Sequence, residues 1–201
     1  MSVILGYMAE DKIYLGADNR TVKLDETISR DDVNKIVAVN NNVAVAFAGY
    51  NKSQMLFERM ITHLSDKNEF YVEDALRYIK LIHWLFKLFW YRKIGKEGRV
   101  LSSRFIVAGK NKNGKACLYT ASIRNGKLEK PSLTNRIIFP PSDADVKTCC
   151  DIYAINSINY HSDFIQRTIK DISKISKLIS PTGDIWVYDI TTDKSTLKHF
   201  S

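Results

Sequence analysis

A serine, Ser2, directly follows Met1, and sixteen residues later Asp18 stands in the string Gly16-Ala17-Asp18-Asn19-Arg20. A serine hydroxyl is a poor nucleophile at neutral pH and needs a base beside it. At a chain start the base can be the residue's own α-amine, whose ordinary pKa of about 7.7–8.0 suits proton transfer near neutrality. Once Met1 is removed, Ser2 carries nucleophile and base in one residue, and it is small enough for an ordinary aminopeptidase to expose it. If Met1 is retained, the amine is an amide and this chemistry fails. Serine after methionine is also a common start, and Asp18 has a plain reading as a strand-ending turn residue.

The elements around these residues read as a mixed fold. Ser2–Tyr7 and Lys12–Ala17 form strands across a short turn, followed by an irregular polar stretch from Asn19 to Asp32. Lys35–Val39 and Val43–Ala48 are almost continuously apolar, as in a sheet covered on both faces. Helical periodicity follows in Ser53–Ser65 and Val72–Lys93. Apolar residues occupy most of the second helix's circumference, so it is expected to lie between the sheet and a neighbouring helix or subunit. A Gly-containing connection, Gly95 to Arg99, leads to strands at Arg104–Ala108, Cys117–Ala121 and Arg136–Phe139, with turns at Lys110–Lys115 and Arg124–Lys127. Two further helices are expected at Asp143–Ser157 and Ser162–Ile179, the latter capped by Ser162, and Asp184–Thr191 is a final strand. Helices arriving in pairs between blocks of strands point to a single α+β domain over residues 1–201: a four-layer αββα sandwich of two mainly antiparallel sheets.

Composition narrows the function classes. The 45% apolar and 26% charged residues describe an ordinary globular chain, with no secretory signal. Three cysteines, two of them adjacent, suit neither a disulfide framework nor zinc spacing, so a reducing cytoplasm is expected. The four histidines lack metal-ligand spacing, and neither metal nor cofactor is expected. The formal charge of +8 admits a nucleic-acid-binding reading, but the basic residues are scattered, and their densest cluster is the Lys110–Lys115 turn. Neither nucleic acid nor membrane is therefore expected as a partner.

Four stretches in order carry a resemblance: Ser2–Leu5 leading to Gly16-Ala17-Asp18-Asn19-Arg20, then Asn34-Lys35-Ile36-Val37, Ala46-Phe47-Ala48-Gly49 and Ile106-Val107-Ala108-Gly109. Together they resemble proteasome β-type subunits and their bacterial relatives, within the N-terminal-nucleophile hydrolases. The resemblance implies Ser2 as nucleophile, Lys35 lowering the pKa of its hydroxyl, Asp18 orienting Lys35, and the Gly49 N–H as oxyanion donor. It places Thr21 and Phe47 at the substrate pocket, and makes Ser142 and Ser180 the stand-ins for the family's later serines. Two departures are visible. Phe139-Pro140-Pro141-Ser142-Asp143 lacks the glycines of the family's Gly-Ser-Gly-Ser turn, and Lys177 takes the place of an aspartate ahead of Ser180.

The implied function is a peptidase-like amide hydrolase acting on a peptide or small amide, assembled as a homo-oligomeric ring, with an ATPase as a possible partner. Two rivals stay open: a catalytically inactive proteasome-like scaffold or assembly subunit, and the basic nucleic-acid-binding protein.

Overall fold

A computed structural model of the chain describes residues 2–23, 27–49, 51–64, 68–90, 102–124, 127–159 and 163–201, without the side chains of Phe89 and Trp90. The Gly95–Arg99 connection, the Asn125-Gly126 centre of one turn and the Ser162 cap lie outside these residues.

The strands form two antiparallel sheets. In the first, β11 (Arg136–Phe139), β1 (Ile4–Met8), β2 (Lys12–Asp18), β12 (Gly183–Asp189) and β13 (Lys194–Phe200) are neighbours in that order. In the second the order is β10 (Ser132–Leu133), β8 (Ala116–Arg124), β7 (Ser103–Lys110), β6 (Val43–Gly49) and β5 (Ile36–Ala38), with β9 (Lys127–Leu128) also on β8. A small hairpin pairs β3 (Thr21–Val22) with β4 (Ile28–Arg30) inside the stretch read as irregular.

Alternation along β6 explains its unbroken apolar run. Val43, Val45 and Phe47 join one cluster with Phe57 and Ile61 of α1 (Asn51–Thr62) and Val72, Ala75, Ile79 and Ile82 of α2 (Val72–Leu85). Ala44, Ala46 and Ala48 point the other way, into a cluster shared with Ile13, Leu15, Trp186 and Tyr188 of the first sheet. A third cluster joins Val3 and Leu5 to Cys149 and Tyr153 of α3 (Val146–Asn159) and Phe164, Ile165, Ile169 and Ile172 of α4 (Phe164–Ile175). Gly16 permits that last approach, since a Cβ there would lie 2.3 Å from the Ile165 side chain. The chain is thus a mixed α/β protein with antiparallel sheets and, among the described residues, four α-helices.

Three elements depart from the sequence reading. α4 ends at Ile175, four residues early, because Ser176 is extended and its hydroxyl donates to Asp143 (2.6 Å). A further strand, β13, follows β12, joined by a turn in which the Asp189 carboxylate accepts the Thr191 and Thr192 N–H groups (3.0 and 2.9 Å). The second helix runs from α2 into a π-helical turn, Phe86–Trp90, and leaves Leu81, Trp84 and Leu88 exposed at 41, 54 and 46%. The rest of its apolar surface is covered by the sheet and α1, and no second helix covers the outer stripe among the described residues.

Candidate active site

β1 and β2 pair from Ile4 opposite Ala17, and the pairing carries one step further to Val3 and Asp18. The Val3 N–H donates to Asp18 Oδ1 (3.0 Å), and the Asp18 N–H donates to the Val3 carbonyl (3.3 Å). Ser2, one residue upstream, is half-buried. Lys35 reaches the same oxygen from the second sheet: its Nζ donates to Asp18 Oδ1 (2.9 Å) and to the Arg20 carbonyl (2.5 Å). Its own carbonyl accepts the Phe47 N–H (2.9 Å), which fixes it against β6. Two of three ammonium donors are thus used within the shell. Among the described residues no hydrogen bond links Ser2 to Lys35.

The ion pair is deeply buried, with the Lys35 side chain 4% and the Asp18 side chain 0% exposed. Burial disfavours both charges. It lowers the Lys35 ammonium from its ordinary value against the pull of Asp18, and raises the Asp18 carboxyl against Lys35 and the Arg20 and Val3 N–H groups.

On the far side of β2 the Ser180 N–H reaches Asp18 Oδ2 at 3.5 Å, while the Ser180 hydroxyl pairs with that of Thr182 (2.8 Å). The Ser180 backbone, rather than its hydroxyl, contacts the carboxylate. Gly49 ends β6 at φ +97°, and a Cβ there would lie 2.3 Å from the Ser102 carbonyl oxygen. The position therefore requires glycine. It lies two residues, about 7 Å, along the strand from the residue that binds the Lys35 carbonyl.

The remaining expected residues separate. Phe47 is buried at 5% exposure, its ring 5.4 Å from that of Phe57 and 5.6 Å from that of Phe105. A side chain so placed fills space between β6 and α1. Thr21 pairs with Arg30 in the small hairpin. Ser142 is exposed, and no hydrogen bond joins it to Ser2, Asp18 or Lys35 among the described residues.

Its neighbour Asp143 does more: the carboxylate accepts the Ser176 hydroxyl (2.6 Å) and the Lys177 N–H (3.0 Å). The Lys177 carbonyl in turn accepts from Arg20 (2.9 Å), whose guanidinium is clamped by Asp31 at 2.6 and 3.0 Å. This Asp143–Ser176–Lys177–Arg20–Asp31 chain was not read from the sequence. The only signals for it were an acidic residue beside Ser142 and an Asp-Asp pair ahead of Lys35.

The proteasome subunit family model matches residues 2–130. That is more than half of the 201 residues, and the chain belongs to the proteasome subunit family. A search of curated proteins finds no match. The matched span holds Ser2, Asp18, Thr21, Lys35, Phe47 and Gly49; Ser142 and Ser180 lie beyond it. Among the described residues no helix is long and apolar enough to cross a membrane.

Proposed function

We propose that this chain is an N-terminal-nucleophile amide hydrolase, peptidase-like, with Ser2 as its nucleophile after Met1 removal. The observation that carries the reading is the single Asp18 oxygen that receives both the Val3 N–H and the Lys35 ammonium, so that the residue after Ser2 and the lysine share one anchor. The α-amine of Ser2 takes the hydroxyl proton as the oxygen attacks the amide carbonyl. Lys35 stabilises the developing alkoxide and disfavours protonation of the amine, with Asp18 holding it in place. The Gly49 N–H is the oxyanion donor, a contribution worth about 3–4 kcal/mol in comparable sites. The C–N bond breaks, the amine leaves with the transferred proton, and an ester on Ser2 remains. Water activated by the same α-amine then hydrolyses that ester, restoring Ser2 and releasing the acid. The chemistry needs no cofactor.

The wider reading is a single domain in a four-layer αββα arrangement, supported by the three apolar clusters, acting in the cytoplasm as a homo-oligomeric ring on peptides or small amides. Ser180 and Thr182 lend support behind Asp18. A second reading, an inactive scaffold on the same fold, is favoured by the exposed Ser142 and by the absence of a Ser2–Lys35 hydrogen bond among the described residues. A panel of fluorogenic peptide amides, assayed with wild type, Ser2→Ala and Lys35→Met, decides between them. Turnover lost in both variants supports the hydrolase; no turnover by a wild type lacking Met1 moves the assignment to the scaffold, and turnover unchanged by Ser2→Ala removes Ser2 as the nucleophile.

A further inference from the structure

Besides Lys35, a second cation crosses from the second sheet toward the first. Arg104 on β7 pairs with Ala48, and its neighbour Ser103 pairs with Gly49, so Arg104 stands beside the glycine assigned as oxyanion donor. Ala48 and Ile106 both join the cluster between the sheets, and the half-buried Arg104 side chain shares their face. There its guanidinium lies 5.3 Å from the centre of the Phe139 ring, and its Nη1 donates to the Pro140 carbonyl (3.3 Å). Phe139 is in turn the register partner of Ile4, two residues after Ser2. The backbone of Arg104 thus flanks Gly49, while its side chain reaches the strand end that flanks the N-terminus.

This cation lacks a counter-charge. The Pro140 contact uses one of its N–H donors, and among the described residues no carboxylate forms an ion pair with it. Glu129 attracts it, but that carboxylate is engaged elsewhere. One of its oxygens accepts from the Ser122 hydroxyl, and the other faces Arg124 Nε at 3.6 Å. Burial, and then the like charge of Arg124, hold the Arg104 guanidinium below its ordinary pKa against the pull of Glu129. A guanidinium keeps its proton even so, and a charge drawn out of water without a partner is unfavourable. The arrangement therefore favours an anion that arrives from outside. A planar fork of free N–H groups matches a carboxylate best, and the Phe139 ring holds that fork in place.

We propose that Arg104 binds a carboxylate of the substrate next to the scissile amide, so that the site selects peptides with an aspartate or glutamate beside the bond cut. The assignment rests on the hydrolase reading of Ser2 and names the substrate class for that same site. An Arg104 that served only to pin Pro140 would affect acidic and neutral substrates alike.

The test uses the untagged full-length chain and matched peptide amides that carry Glu or Gln on either side of the scissile bond. Turnover is measured for wild type, Arg104→Gln and Arg104→Lys. In parallel, binding of the same peptides, fluorescently labelled, is followed by anisotropy on Ser2→Ala with and without Arg104→Gln, which requires no chemistry. Wild type is expected to favour a Glu peptide over its Gln partner by about 10–100-fold, through KM, as for hydrogen bonds to a charged group. That ratio should collapse toward one in Arg104→Gln and be partly kept in Arg104→Lys, which retains the charge without the fork. Turnover with no Glu preference, or a preference untouched by Arg104→Gln, would overturn the proposal and leave the hydrolase standing. Glu-selective binding to Ser2→Ala that is lost with Arg104→Gln, in a chain whose wild type shows no turnover, would keep the anion site and remove the hydrolase reading. Neither turnover nor selective binding would overturn both.

Discussion

Two parts of the chain meet at Asp18 from either side of β2, with unequal chemistry. From β1 comes a backbone N–H at 3.0 Å, joined by a buried ammonium from the second sheet at 2.9 Å. From the β12 side comes one backbone N–H at 3.5 Å, on a loop propped by Asp143 from outside. The first part lies within the family match and the second beyond it. An ion pair shut away from water tolerates little change, because removing either partner strands the other. A loop held by exposed hydrogen bonds can exchange its supports. Lys177 shows this: its side chain is exposed, and its backbone N–H and carbonyl make the contacts that hold the loop.

If that contrast is right, Lys35→Met has the largest effect. It leaves Asp18 buried without its partner and should cost about 3–5 kcal/mol in denaturant unfolding. Asp143→Ala comes next, at about 1–3 kcal/mol, from hydrogen bonds lost at Ser176 and Lys177. Amide exchange should then accelerate at Lys177 and Leu178 while Val3 stays protected; equal acceleration at Val3 would mean that the two sides act as one unit.

A smaller effect depends on pH. Arg20 beside Asp31 holds its carboxyl below the ordinary value of 3.8. A lowered carboxyl pKa contributes stability that is present above that ordinary value and fades as pH falls through the lowered one. The stability lead of wild type over Asp31→Asn should therefore persist at neutral pH and close in strong acid. A gap that widened with acid would break the assignment of the Arg20–Asp31 clamp. Smallest of all, Lys177→Asp should change stability by no more than about 0.5 kcal/mol, as for an ordinary surface substitution.

The β1–β2 hairpin, β5–β6 and both helix pairs were legible in the sequence, because continuous apolar strands and helical periodicity leave few alternatives; the pairing of Asp18 with Lys35 was implied by the family resemblance alone. What escaped was written in polar residues. β13, Lys-Ser-Thr-Leu-Lys-His-Phe, lies at the outer edge of its sheet with most of its side chains exposed, so it lacks an apolar pattern. Ser176 ends α4 through a hydrogen bond to a residue 33 positions away, which no local pattern encodes. Ser142 shows the converse: a serine at a plausible place in the sequence is carried to the surface by the turn after β11.

The most direct test of the central claim is the intact mass of the purified protein before and after treatment with a β-lactone, followed by peptide mapping. The account predicts a chain lacking Met1 that gains one adduct on Ser2, and loss of that adduct in Lys35→Met. A chain that retains Met1, or one that lacks it and stays unmodified, would contradict the nucleophile assignment and leave the proteasome-family scaffold as the function of this fold.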